Sequence, residues 1–120
     1  MYTPPLLNLV VIRSKDLEQA ERFYNVLGLN FKRHSHGKGP EHLAAQPYKD
    51  GFVFEIYPVN EKAGSTKGVR IGFKVDEIDN CLDSLVKKGG KIIAKPQDSE
   101  WGRRAVIRDP DGHKVELLKS

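Results

Sequence analysis

The chain has 120 residues, of which 30% are charged and 38% hydrophobic, and a formal net charge of +4. That length supports one compact domain with a real core and is too short for two independent ones. The mixed composition, free of low-complexity tracts, excludes a disordered or fibrous protein, and lysines and arginines scattered through both halves argue against a nucleic-acid partner.

The apolar start, 6–13, carries Asn8 and ends at Arg13; it is too short to span a membrane and lacks a secretory leader pattern, so it reads as a first strand of a cytoplasmic protein. With apolar residues on both faces it is expected to be buried on both, leaving Asn8 as an amide in need of hydrogen-bond partners. Asp16 and Gln19 have the spacing of a capping box, and Leu17, Ala20, Phe23, Tyr24 and Leu27 form one helical stripe that Gly28 can end. Segments rich in β-branched and aromatic residues predict strands near 30–36, 41–46 and 52–58, and 60–67 reads as a connector. A fifth strand at 68–75 leads to Asp76 as the cap of a second helix striped by Ile78, Cys81, Leu82, Leu85 and Val86, with Lys87 and Lys88 at its negative end. Strands near 91–95, 103–109 and 113–118 complete the chain; Asp109-Pro-Asp-Gly is a turn signal that makes the last two a hairpin and places His113 in an exposed turn. Cys81 lies on the helix stripe and reads as core, and one cysteine fits a reducing compartment.

The two halves repeat each other. Asp16 and Asp76, Gly28 and Gly89, and Glu55 and Glu116 each lie sixty or sixty-one residues apart, so a βαβββ module has been duplicated, about 5–59 and 67–118, within one domain. Alternation splits Phe52, Phe54 and Ile56 from Val53, Glu55 and Tyr57; Ile71, Phe73 and Val75 from Arg70, Gly72 and Lys74; and Val115 and Leu117 from Glu116. The polar face of these strands therefore carries Glu55, Arg70 and Glu116, and a curved sheet would make it the inside of a cup.

Three stretches, Asp16 to Leu29, the strand Phe54-Glu-Ile-Tyr, and Arg108-Asp-Pro-Asp-Gly-His-Lys-Val-Glu-Leu, resemble the vicinal oxygen chelate superfamily, which includes glyoxalase I, extradiol dioxygenases, and fosfomycin- and bleomycin-resistance proteins. The resemblance implies an α+β fold of two βαβββ modules forming a curved mixed sheet, and a homodimer. In metal-dependent relatives the first and last strands of each module supply the ligands, which maps here onto Asn8, Glu55, Arg70 and Glu116. Arg70 departs from that pattern: guanidinium has no lone pair to give a metal, so it is expected to neutralise Glu55, Glu116 or both by bidentate hydrogen bonds.

Two readings follow. The first is a metal-independent protein that binds or sequesters a small polar molecule through Asn8, His42, Glu55, Tyr57, Arg70, Trp101 and Glu116, with no cofactor. The second is a lyase or dioxygenase in which Glu55 and Glu116 ligate a divalent metal and Glu116 shuttles a proton. His34, His36 and His42 match no closed zinc pattern and read as solvated or ligand-lining; His42 lies nearest the cup. Trp101 either closes over a ligand or anchors its loop, and Tyr57 shares the face of Glu55.

Overall fold

A computed structural model describes residues 3–120. In chain order it contains β1 (Leu9–Ser14), α1 (Leu17–Asn25), β2 (Lys32–His34), β3 (His42–Ala45), β4 (Val53–Pro58), β5 (Arg70–Val75), α2 (Asp79–Lys87), β6 (Lys91–Ser99), β7 (Gly102–Arg108) and β8 (Lys114–Lys119). Each half builds its own four-stranded mixed sheet, in the orders β1-β4-β3-β2 and β5-β8-β7-β6. The first strand of each module runs parallel to its last, and the remaining pairs are antiparallel. No helix among the described residues is long and apolar enough to cross a membrane.

Helix α1 begins as its sequence dictates, with the Asp16 carboxylate accepting from the Gln19 backbone N–H at 3.1 Å. The reciprocal half of the box does not form. The Asp16 N–H donates to Ser14 Oγ instead, and the Gln19 side chain reaches across to Gly89 of the second module. Helix α2 starts two residues later than its Asp76 signal implies. Ile78, fully buried, takes the capping position and has no polar atom to make a side-chain bond, while Asp76 directly follows β5, where the Ser120 N–H donates to Val75 O.

The helix-bearing faces of both sheets share a single core that includes Phe23, Tyr24, Phe54, Leu85, Ile107 and Leu117. Tyr24 and Phe54 of the first module meet Phe73 of the second at ring separations of 6.3 and 5.9 Å. At the seam lies Asp109, 4% exposed. It accepts from the Tyr24 hydroxyl at 2.6 Å, from His113 Nδ1 at 2.8 Å, and from the backbone N–H groups of Asp111 and His113. Burial foremost, with Asp109 beside it, pushes the Tyr24 hydroxyl well above its ordinary pKa, so it stays a donor. On the far side His113 Nε2 lies 2.6 Å from the Thr66 hydroxyl, which itself accepts from the Arg13 N–H of β1. His113 is thus fully buried and not exposed as its turn position suggests, because the turn folds its ring back onto Asp109.

The expectation that the first strand is buried on both faces also fails. Leu6 and Leu7 are 87% and 77% exposed, and along β1 only the Val10 and Ile12 side meets the core; Leu9 and Val11 face outward. As an edge strand, β1 has a neighbour only in β4, and joining the modules through their helix sides leaves each opposite sheet face open. The radius of gyration, 15.0 Å, exceeds the roughly 13.6 Å expected of a compact chain this long, as two open sheets require.

Tyr24→Phe tests the seam without changing its volume. Losing one hydrogen bond to a buried carboxylate is expected to cost about 1.5–3 kcal/mol, read as a lower urea midpoint at unchanged slope. An unaltered midpoint would mean the seam contributes nothing.

Candidate functional site

The strand registers decide which side chains share a face. On the first sheet, β1 and β4 pair Leu9 with Val53, Val11 with Glu55 and Arg13 with Tyr57, and β3 sets Ala44 beside Glu55. His42 and His34, which pair across β2 and β3, fall on this same side. Asn8 does not. It precedes β1, is exposed, and has the parity of Val10 and Ile12, so its amide is neither buried nor on the face of Glu55.

Around Glu55 the chain assembles a stacked group of rings. His42 is 1% exposed and lies flat on Tyr57, with centroids 4.1 Å apart, and the Arg13 guanidinium covers Tyr57 at 5.3 Å. His36 and His34 follow at 5.2 and 5.9 Å from His42. His42 Nε2 sits 3.5 Å from Glu55 Oε2 without making a hydrogen bond. His42, Glu55 and Tyr57, all expected from the sequence at the pocket, are therefore brought together.

The second sheet holds a different chemistry. Its register places Arg70, Gly72 and Lys74 of β5, Glu116 and Leu118 of β8, and Arg104 of β7 on one face. Arg70 grips Glu116 Oε2 through Nε at 3.2 Å and Nη2 at 3.1 Å, while Arg104 Nε donates to Glu116 Oε1. The Arg104 hydrogen bond, reinforced by the charges of Arg104 and Arg70, holds the Glu116 carboxyl below its ordinary pKa. Beside this triad is a cavity of about 550 Å³ lined by Lys74, Ser99, Trp101, Arg104, Glu116 and Leu118, among others. Trp101, in the turn between β6 and β7, is 74% exposed at its rim.

Arg70 therefore neutralises one acid, Glu116; among the described residues it has no ion pair with Glu55, which belongs to the other sheet. Arg104 is missing from the sequence-derived set. Its signal was present in the alternation of Ala105 and Ile107 with Arg104, Val106 and Arg108, which puts Arg104 on the face of Glu116.

A family-type metal does not fit these residues. Both Glu116 oxygens already accept from guanidinium groups, Asn8 has the wrong parity, and among the described residues no three His, Cys, Asp or Glu side chains converge on a common point.

The profile of the Glyoxalase/Bleomycin resistance protein/Dioxygenase superfamily matches residues 6–117. The chain belongs to that superfamily. A probable lactoylglutathione lyase of Synechocystis is 28% identical over 120 residues, covering 92% of each chain. Among solved structures, TnmS3, an antibiotic-binding protein from a Streptomyces species, superposes with a TM-score of 0.76 at 21% identity, over 99% of this chain and 98% of that one. A superfamily member from Sphaerobacter thermophilus gives 0.75 at 21% identity, over 98% of both chains. The profile match establishes the superfamily, and the structural likenesses establish the fold.

The lowered Glu116 pKa has a signed consequence. A carboxyl whose folded value lies below its unfolded one stabilises the fold above the unfolded value, and loses that contribution as pH falls through the folded one. Glu116→Gln is therefore expected to be less stable than the parent at neutral pH, by no more than about 1 kcal/mol at this exposure, with the difference closing in acid. Urea titrations across that range check it; a gap that widens on acidification would contradict the assignment.

Proposed function

We propose that this superfamily member is a metal-independent protein that binds a small molecule, with the second sheet's open face as its principal site. The observation that carries the reading is the engagement of Glu116 by Arg70 and Arg104. A glutamate that satisfies two guanidinium groups is a poor metal ligand, and a cation placed there would meet fixed positive charge. The antibiotic-binding description of TnmS3 is compatible with this role.

A second reading, a metal-dependent lyase or dioxygenase with Glu116 as proton shuttle and Glu55 and Glu116 as ligands, draws on the lyase name of the Synechocystis relative. The donor set opposes it. Metal analysis of protein purified without a histidine tag, with a thermal-shift series of zinc, nickel and manganese, separates the two. We expect no stoichiometric ion and no chelator-sensitive stabilisation; one divalent ion per chain, lost in Glu116→Gln, would establish the second reading.

Our reading further makes the protein a cytoplasmic homodimer in which the open first-module face of one copy meets the second-module face of another, completing a cup around the ligand. The outward Leu9 and Val11 support this, being 48% and 37% exposed on the edge strand β1. Light scattering is expected to give twice the chain mass, and the Leu9→Lys, Val11→Glu double variant a folded monomer. A parent that remains monomeric at high concentration would sink the shared cup.

A further inference from the structure

We propose that the ligand of the second sheet is an organic acid with a planar apolar body, its anionic group meeting Lys74 and the unused guanidinium edge of Arg104 while the body lies against Trp101 and Leu118. The proposal rests on the ligand-binding reading and names the chemical class it leaves open.

The charge balance of the face comes first. The registers of β5, β7 and β8 set Arg70, Lys74, Arg104, Arg108 and Lys114 on the same side as a single acid, Glu116. Glu116 absorbs Arg70 and Arg104 together, and one Arg108 nitrogen donates to Gly112 O. One carboxylate cannot neutralise five cations, so the face keeps a positive potential that favours anions. On the first sheet Glu55 is set among Arg13, Lys32 and histidines, one acid to two full cations, so the larger positive excess lies on the second sheet.

Hydrogen-bonding capacity points the same way. Arg104 spends Nε on Glu116, and among the described residues its two terminal nitrogens have no protein acceptor; Lys74 has none either. Both side chains line the cavity next to Glu116, whose own acceptors are occupied, so what the pocket offers a ligand is donors. Guanidinium and ammonium donors are the groups that bind carboxylates, sulfonates and phosphates most strongly.

The body of the ligand follows from the rim. Trp101 presents a large aromatic surface to solvent over a cavity of about 550 Å³, the size of ordinary small-molecule sites, and Leu118 supplies an apolar floor. A flat apolar ligand would cover both, and stacking against an indole adds to area burial.

Naphthoate, neutral naphthamide and naphthylmethylammonium share one body and differ in charge, so calorimetry with the three isolates the anionic requirement. Naphthoate is expected to bind at least about tenfold tighter than the amide, with the ammonium weakest, and to weaken as salt is added. It should shift the indole N–H resonance of Trp101, the only tryptophan. Lys74→Gln is expected to weaken naphthoate about fivefold and leave the amide unchanged; Trp101→Ala should weaken both about fivefold. Amide or ammonium binding as tight as naphthoate would overturn the acid while leaving a small-molecule pocket. No binding by any of the three would also overturn it, and the metal analysis then decides whether the broader reading falls as well.

Discussion

Asp109 fixes the arrangement on which the site depends. A carboxylate excluded from water must be met by donors, and this one is met by Tyr24 from the first module and His113 from the second, with Thr66 and β1 tied in behind His113. Because those donors come from the helix-bearing sides of the two sheets, satisfying them locks the modules together there. Both glutamate-bearing faces are consequently left open, and the acids Glu55 and Glu116 lie on separate sheets.

Duplication made the two faces equivalent in backbone and sequence has made them different in chemistry. Glu55 sits opposite Val11 and beside a buried imidazole, within a stack that runs from Arg13 through Tyr57 to the histidines. Glu116 sits opposite Gly72 and is held by Arg70 of β5 and Arg104 of β7 from the strands on either side. The same residue type at equivalent positions is thus an acid beside an aromatic stack in one module and the counter-ion of a cationic face in the other. In a superfamily that spans lyases, dioxygenases and resistance proteins, such local substitutions carry more information about activity than the shared fold does.

Much of this was legible in the sequence. The internal repeat, the caps and the two-residue alternation located all eight strands and both helices, and they put Glu55, Tyr57, Arg70 and Glu116 on the right faces. What escaped depends on long-range packing. No local signal says that His113 turns inward, since the Asp109 carboxylate it joins is buried by Tyr24 and the far side of its ring is met by Thr66, both distant in the chain. The exposure of β1 could not be read from an apolar run that fits a doubly buried strand equally well, and alternation put Asn8 with Val10 and Ile12 without saying that the Val11 side is the one that shares the face of Glu55, which needed the pairing with β4. The start of α2 at Asp79 was hidden for a related reason: Asp76 has the chemistry of a cap, but burial of Ile78 outweighs it.

The central claim is that Glu116 is an ionised acceptor held by two guanidinium groups and therefore unavailable to a metal. Side-chain carboxyl NMR of Glu116, followed through an acid titration with and without equimolar zinc, addresses it directly. The account predicts a midpoint below the ordinary glutamate range and one that zinc leaves in place. A midpoint at the ordinary value, or a resonance that moves stoichiometrically with zinc, would contradict it.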